Sequence, residues 1–204
     1  GEQLAYNHMV GLINYDQYIG YLSQNVAIDI DICLKKLLLL INDKNLRQKL
    51  GNNAKKIANN EFSWSNIISQ YKDLGNDLDK LRTGIESLSE LPNFTLPADR
   101  LDPFFIFETY PTFSITEETL IIKNNKIHDL DIETVMSFKS VMFSVNSLPS
   151  VDLFNKVNDI IDENKEYSLN HICDAANLSI EIVSPIIIWL LKYSFISLTG
   201  DNNE

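Results

Sequence analysis

The sequence predicts a mainly α protein with a small β component. Apolar residues recur every three or four positions through residues 30–82 and again from Ser150 onward, which is the period of amphipathic helices. Two short stretches, 119–128 and 195–198, have the composition of strands. With 45% hydrophobic and 22% charged residues, the 204-residue chain matches ordinary globular proteins of one or two modest domains.

The first helical pattern begins near Asp29 or Asp31, either of which can cap it. Its apolar positions are Ile32, Leu34, Leu37, Leu38 and Ile41, and the additional Leu39 and Leu40 predict burial on more than one side. Asp43 can cap the next helix, whose apolar stripe is Leu46, Leu50, Ala54, Ile57 and Ala58. Gly51 interrupts that stripe at a cost of about 1 kcal/mol relative to Ala, so we expect another element to approach its backbone closely.

A third helix follows a Phe-Ser-Trp corner at residues 62–64. Ser63 is its predicted N-cap. Apolar residues then recur three or four apart, at Trp64, Ile67, Ile68, Tyr71, Leu74, Leu78 and Leu81. A stripe of this length requires a large apolar partner surface.

A linker is predicted at residues 83–101, because the helical stripe ends there and Gly84, Pro92, Pro97 and then Pro103 interrupt hydrogen-bonded structure. The aromatic stretch PFFIFETYP, residues 103–111, follows as either one short helix or an extended clamp. Burial of its three Phe rings would contribute several kcal/mol at ~25 cal/mol per Å². The alternative is an aromatic platform for a ligand.

Residues 119–123 and 126–128 are predicted to form a β-hairpin around Asn124 and Asn125, because paired Asn residues tolerate positive φ in a tight turn. The segment from Asp131 to Val145 fits either a helix or a strand.

Three helices and a strand are predicted from Ser150 to Leu198. The helical faces are Val151, Phe154, Val157, Ile160 and Ile161, then Leu169, Ile172 and Ala175, then Ile186 to Tyr193. The third helix begins either with Ser184 as N-cap and Pro185 at its first position, or at Ser179 with a kink. Trp189 is expected in the core; exposed beside Tyr193, it would instead anchor an interface.

The front of the chain resembles the C-terminal end of family-4 glycosyltransferases. The resemblance covers about 60 of the 204 residues, with YLSQNVAIDIDICLKKLLLL (21–40), then NDKNLRQKLGNNAKKIANNEFSW, then NIISQYKDL. It implies that residues 1–82 are the helical end of a two-Rossmann-domain GT-B enzyme of the hexosyltransferase type. In that family the segment closes the nucleotide-sugar-binding half, and its last helix braces the acceptor-binding half.

The residues that bind the donor in that family are not found here. Its signature is two glutamates separated by seven residues, but Glu61, Glu86, Glu108 and Glu133 lead to Ser69, Phe94, Thr116 and Val141. A Gly-rich turn between a strand and a helix, which would hold a diphosphate, is missing too. We therefore assign no catalytic and no cofactor-binding residue, expect the N-terminal half of the enzyme and its nucleotide-sugar site upstream of Gly1, and expect this truncated chain to be inactive alone.

The C-terminal residues 102–204 resemble a winged-helix module over about 50 positions, with SLNHICDAANLS followed by IIIWLLKYSFISL. Related modules that carry a hairpin before the helices bind peptides. DNA binding would require Arg, Lys, Asn or Gln on the third helix, but from Ser179 to Leu198 the only basic residue is Lys192. The resemblance therefore implies a protein or peptide partner and no nucleic acid.

Charge is distributed unevenly along the chain. Up to Pro97 there are 10 Lys and Arg against 11 Asp and Glu, whereas the remainder has 7 against 17. Such an acidic surface repels phosphate backbones and anionic headgroups but permits binding to a protein. The simpler interpretation is a solvated face that keeps the protein soluble.

The remaining motifs exclude several classes of site. Cys33 and Cys173 are predicted to be buried, reduced thiols, which fits a cytoplasmic protein. His8, His128 and His171 lack neighbouring ligands, so no metal site is assigned. The longest apolar runs, such as Ile186 to Leu191, are far shorter than the ~20 residues of a membrane-spanning helix, and no signal peptide opens the chain.

These observations predict a glycosyltransferase fragment, residues 1–82, joined by the linker 83–101 to an acidic winged-helix-like interaction module, residues 102–204. One alternative is a non-catalytic protein-binding or peptide-binding module, with residues 30–82 as a helical bracket. The other is an acidic transcriptional regulator, which the lack of a basic recognition helix argues against.

Overall fold

The computed structural model describes residues 1–84, 101–124 and 130–199. Its helices are α1 (Glu2–Met9), α2 (Tyr15–Ser23), α3 (Ile30–Asn42), α4 (Lys44–Glu61), α5 (Trp64–Gly84), α6 (Pro103–Ile106), α7 (Ile132–Met136), α8 (Lys139–Met142), α9 (Val151–Ile160), α10 (Leu169–Ala176) and α11 (Ile180–Lys192). Its strands are β1 (Leu120–Lys123), β2 (Tyr167–Ser168) and β3 (Ile196–Thr199). The predicted class, mainly α with a small β component, is confirmed.

Residue contacts divide the chain into two compact units. The described part of one, the helical unit, is residues 30–84 and contains α3, α4 and α5. The described part of the other, the sheet unit, combines residues 1–29 with 101–124 and 130–199. Residues 1–29 are thus grouped with the C-terminal part of the chain, whereas the predicted domains join them to the helices that follow.

A local capping signal explains where helix α4 of the helical unit begins. The Leu46 N–H donates to Asp43 Oδ1 at 2.9 Å, so Asp43 caps α4 as predicted. The Arg47 guanidinium donates to the carbonyl of Ile41 at 3.1 Å and also to that of Leu40, which ties the end of α3 to α4. At the next corner, the Ser63 hydroxyl lies 3.1 Å from that of Ser65. The unit contains the three consecutive helices that the periodicity predicts.

The expectation for Gly51 is wrong. A Cβ built on Gly51 has no heavy atom within 4 Å, so no element approaches this glycine. The same is true of Gly75 in α5. Gly51 therefore weakens α4 without a packing reason inside the described structure.

The sheet unit is organised around β1. The three-stranded antiparallel sheet has the order β2-β1-β3, with Leu120 opposite both Ser168 and Thr199. Ile121, at the centre of the sheet, is fully buried. The predicted second hairpin strand, 126–128, lies outside the described residues, and the described partners of β1 are β2 and β3.

Helices α9, α10 and α11 supply most of the core beneath this sheet. Phe154 and Trp189 are fully buried with their ring centroids 4.8 Å apart, and Phe195 stacks on Trp189 at 5.9 Å. The buried stripe of α10 is Leu169, Ile172, Cys173 and Ala176. The prediction of Ala175 on that stripe is wrong, because the helix phase that buries Ile172 places Ala176 inward and Ala175 in solvent.

Helix α11 begins at Ile180 with Ser179 in the N-cap position, so the second of the two predicted starts is correct. Pro185 lies inside the helix, where it lacks the N–H that an ordinary residue would donate to Glu181. Trp189 is 0% exposed, which confirms its predicted place in the core. The ambiguous segment from Asp131 to Val145 is helical: α7 is capped by Asp131 and is followed by α8.

Helices α1 and α2 pack as part of the sheet unit. Lys192 Nζ donates to the Ser23 carbonyl at 2.6 Å, and Tyr21 stacks with Phe143 at 6.5 Å. The N-terminal ammonium of Gly1 lies 3.8 Å from Asp102 Oδ2. Contacts far apart in sequence thus join the first 29 residues to the module that ends with β3.

Candidate interaction surfaces

The helical unit exposes its apolar residues. None of α3, α4 and α5 contains a buried residue. Trp64 is 78% exposed and Tyr71 70% exposed. We call the exposed apolar face of α5 the α5 stripe; it consists of Trp64, Ile68, Tyr71, Leu74, Leu78 and Leu81.

Helices α3 and α4 expose apolar residues as well, namely Leu34, Leu37, Leu38, Leu39, Ile41, Leu50 and Ile57. Full burial of one Leu or Ile side chain is worth about 1.5–3 kcal/mol. Three helices that bury none of their apolar residues are therefore unlike an independent domain, whose helices cover an apolar face against a core. The main chemical property of this unit is its uncovered apolar surface, for which the sequence predicts a large apolar partner.

The aromatic stretch 103–111 is also exposed. Its first four residues form α6, a single turn whose N-cap is Asp102, with the Phe104 N–H donating to Asp102 Oδ1 at 2.9 Å. Phe105 is 66% exposed, and Phe104 and Phe107 are exposed too, so the expected burial of the three Phe rings is wrong. The helical alternative for this stretch is correct, and its rings form a second exposed apolar patch.

Helix α11 presents no basic surface. Its buried residues are Val183, Ile186, Ile187, Trp189 and Leu190. Lys192 bonds the Ser23 carbonyl, and burial lowers the pKa of its ammonium group below the usual range. A DNA-reading helix needs basic or amide side chains free to reach base edges, and α11 instead fills the core.

Lys123 is a half-buried cation that the sequence patterns did not single out. Its Nζ donates to the Asn158 carbonyl in the last turn of α9 at 2.8 Å. Burial lowers the pKa of Lys123, while the carboxylates of Asp159 and Glu163 act in the opposite direction. A lysine at the carboxyl end of a helix bonds free carbonyls and complements the helix dipole, so Lys123 fastens α9 to β1.

The histidines lie in local aromatic contacts. His8 stacks on Tyr18 with ring centroids 4.9 Å apart, and His171 lies 5.4 Å from the Tyr167 ring. His128 is outside the described residues. Among residues 1–84, 101–124 and 130–199, no three His, Cys, Asp or Glu side chains are grouped to hold a metal ion.

The two cysteines differ in environment. Both are free thiols, and Cys173 is buried as predicted, whereas Cys33 is exposed on α3, so its predicted burial is wrong. Burial raises the pKa of the Cys173 thiol, and the nearby carboxylates of Asp174 and Glu117 raise it further. Cys173 is thus an inert core residue, and Cys33 is accessible to solvent.

In the described part of the chain, a shallow hollow beside α4 is lined by that helix alone, at Asn53, Lys56, Ile57, Asn60 and Glu61. One helix encloses no ligand, so the hollow has no evident binding function.

Over the same described residues, no single helix is long and apolar enough to span a membrane; α10 and α11 reach that length and composition only together, with a bend of 116°.

Comparisons with known proteins found no family model, curated protein or solved structure that matches this chain. The exposed surfaces described above are therefore the observations from which a function can be argued.

Proposed function

We propose that the helical unit is the C-terminal end of a GT-B glycosyltransferase resembling family 4, and that residues 102–204 are an accessory module that binds another protein. The complete enzyme transfers a sugar from a nucleotide-sugar donor to an acceptor. In this proposal its catalytic residues belong to a larger body on which the α5 stripe packs. The free thiols Cys33 and Cys173 favour a reducing, cytoplasmic location.

The exposed α5 stripe is the observation that supports this proposal most directly. It begins at Trp64 and ends at Leu81, and its helix contains no buried residue. A GT-B enzyme uses its last helix as a brace between its two halves, and a brace needs an apolar face along its whole length. The stripe has the length and the chemistry for that role.

The proposal is tested by measuring nucleotide-sugar binding and hydrolysis by a longer protein that includes the reading frame upstream of Gly1. We expect that frame to encode two glutamates separated by seven residues, and its longer product to bind and hydrolyse a nucleotide sugar. UDP-glucose, UDP-N-acetylglucosamine and GDP-mannose serve as donors, with release of UDP or GDP as the readout. The 204-residue chain, assayed in parallel, should release neither. An upstream frame without the two glutamates, or a longer product that binds no donor, would contradict the proposal.

Fluorescence of Trp64 tests the packing directly. Trp64 and Trp189 are the only two tryptophans, and Trp64→Phe leaves the buried Trp189 as the matched reference. The difference between the emission of the unmodified protein and that of Trp64→Phe is the fluorescence of Trp64. Acrylamide should quench this fluorescence readily in the 204-residue chain and much less in the longer product. Equal quenching of Trp64 in both proteins would show that the α5 stripe does not pack on an upstream body.

Two alternatives make different predictions. A non-catalytic binding module would bind no nucleotide sugar, even as the longer product. An acidic regulator would bind duplex DNA, with an affinity that falls steeply as salt rises. We expect a labelled duplex of random sequence to remain unbound at micromolar concentrations of the full chain, because α11 lies in the core and Lys192 bonds Ser23.

A further inference from the structure

Helices α3 and α4 carry a local excess of positive charge. Residues 30–61 contain seven Lys and Arg against three Asp and Glu, although the whole chain has a formal net charge of −11. Helix α5, residues 64–84, contains three of each kind. The basic residues of the helical unit are therefore concentrated on α3 and α4, whose surface attracts anions.

Most of these cations are not neutralised by the chain itself. Arg47 bonds the carbonyls at the end of α3, but the six lysines are exposed, and none of them forms a salt bridge within the described residues. On α5, by contrast, Lys80 pairs with Asp77 at 2.9 Å and Arg82 pairs with Asp79 at 2.7 Å. The free lysines of the pair are Lys35, Lys36, Lys44, Lys49, Lys55 and Lys56.

Exposed apolar side chains lie on the same two helices. On α4 they are Leu50 and Ile57, which are 48% and 47% exposed and lie two turns apart on one face. On α3 a longer face repeats at steps of three and four, and its members are between 47% and 67% exposed: Ile30, Leu34, Leu37, Leu38 and Ile41. The pair thus combines unpaired positive charge with uncovered apolar surface.

The lysines of α4 border its apolar face on both sides. At about 100° per residue, Lys49 and Lys56 fall on one side of the face, and Lys44 and Lys55 fall on the other. The two lysines of α3 lie on opposite sides of the α3 face in the same way. A lysine in such a place covers apolar surface with its methylene groups while its ammonium reaches a polar layer.

We propose that the α3–α4 pair, residues 30–61, binds the surface of a lipid bilayer that contains anionic lipid. The lysines lie among the phosphate headgroups, and the exposed Leu and Ile side chains enter the boundary between headgroups and acyl chains. The pair lies on the membrane without crossing it, since α3 has 13 residues and a spanning helix needs about 20. The α5 stripe is not used and stays available to the larger body of the proposed function.

Charge and apolar surface together select this occupant. A nucleic acid shares the phosphate groups, but its interfaces with proteins are more polar and leave no apolar layer for Leu and Ile side chains. The acidic part of the chain gives the binding a direction. After Pro97 there are 7 Lys and Arg against 17 Asp and Glu, so an anionic surface repels that part and attracts the helical unit.

Sedimentation with lipid vesicles tests the proposal on the full 204-residue chain. Vesicles of phosphatidylcholine with about one third phosphatidylglycerol should bind the protein, and phosphatidylcholine alone should bind it at least about tenfold more weakly. Raising the salt concentration from about 0.1 M to 1 M should release the protein, because the Debye length falls from about 10 Å to 3 Å.

Two matched double variants locate the surface. Lys49→Gln with Lys56→Gln removes two charges from α4 and should weaken binding to the anionic vesicles about tenfold or more. Lys72→Gln with Lys80→Gln removes two charges from α5, away from the proposed surface, and should change binding less than about twofold. Both variants should keep the circular dichroism of the unmodified chain, since all four side chains are exposed.

A third double variant tests the apolar contribution without changing the charge. Leu34→Gln with Leu37→Gln should weaken binding to the anionic vesicles about tenfold, because it removes two side chains from the apolar layer. Both side chains are more than half exposed, so circular dichroism should again match that of the unmodified chain. Unchanged binding would contradict insertion of the α3 face.

Three further results would overturn the proposal. They are no binding or equal binding to the two kinds of vesicle, equal losses in the α4 and α5 lysine variants, and binding of a random-sequence DNA duplex as tight as that of the anionic vesicles. The glycosyltransferase assignment is judged separately, by donor hydrolysis and Trp64 quenching, and neither measurement involves the lysines of α3 and α4. Failure of one proposal therefore leaves the other open to its own test.

Discussion

Ser194 adopts a left-handed backbone conformation, with φ at 62°, in the turn between α11 and β3. This conformation strains a residue with a Cβ by about 1–2 kcal/mol, while Gly adds about 0.5–1 kcal/mol of chain entropy to the unfolded state. We expect Ser194→Gly to raise the free energy of unfolding by about 0.5 kcal/mol, measured by urea denaturation. Asn177 (φ 51°) is the control: Asn tolerates this region, so Asn177→Gly should change stability less.

Cys33 and Cys173 should differ in reactivity with a maleimide. Cys33 is exposed and should react within minutes at neutral pH, whereas Cys173, buried and with a raised pKa, should react only after unfolding. Mass spectrometry of the labelled chain, with Cys33→Ser as the control, distinguishes the two thiols. Two labels under native conditions would show that the core around Cys173 opens readily.

Gly51 destabilises helix α4 and can be replaced without a steric clash. Nothing lies within 4 Å of a Cβ built on Gly51, so Gly51→Ala should stabilise the helix by about 1 kcal/mol, measured by circular dichroism during denaturation. Gly75→Ala in α5 meets equally open space and should act alike. A loss of stability at Gly51 in the longer product, but not in this chain, would show that the upstream body approaches α4 there.

Helix α7 should respond to acid through its cap. Hydrogen bonds from the Thr134 side chain and from the Thr134 N–H, which donates to Asp131 Oδ1 at 2.7 Å, lower the pKa of Asp131. The stabilisation is complete above the ordinary aspartate pKa and is lost as the pH falls through the lowered value. Asp131→Asn keeps an acceptor, so its Tm should decline less between pH 5 and pH 2, at about the range where aspartates titrate. Asp131→Ala should be less stable at both ends of that range.

Elements with local causes were predictable from sequence, and those with distant causes were not. Asp43 identified the start of α4 because a cap acts within three residues. The partners of β1, by contrast, come from residues 167–168 and 196–199, and no local pattern specifies such pairing. The exposure of Phe105 and Cys33 could not be predicted either. Periodicity places both residues on apolar helices, but it does not identify the surface that covers those helices.

At the scale of the molecule, the exposed α5 stripe should cause self-association. We expect the apparent mass in light scattering to rise with concentration when the 204-residue chain is studied alone. Leu78→Glu, within the stripe, should weaken this association about tenfold or more, because it removes one buried Leu from each contact. Asn76→Glu, on the polar side of α5, is the matched control. A protein that stays monomeric at every concentration would show that the α5 stripe does not mediate self-association.

The candidate surfaces were only partly foreseeable at this scale. Periodicity predicted the stripe from Trp64 to Leu81 and its need for a partner. The place of β3 beside β1, at one side of the sheet, followed only from the strand order, which no local pattern of residues specifies.

The position of β1 has a consequence for synthesis of the protein. This strand is the middle of the sheet but leaves the ribosome before either of its neighbours, and β3 is made near the end of the described chain. Ile121 must therefore wait, uncovered, until β3 has been synthesised. Ribosome-bound chains that stop before β3 should be targets for chaperones, and folding of this unit should be slow for its size because its central pairing closes so long a loop.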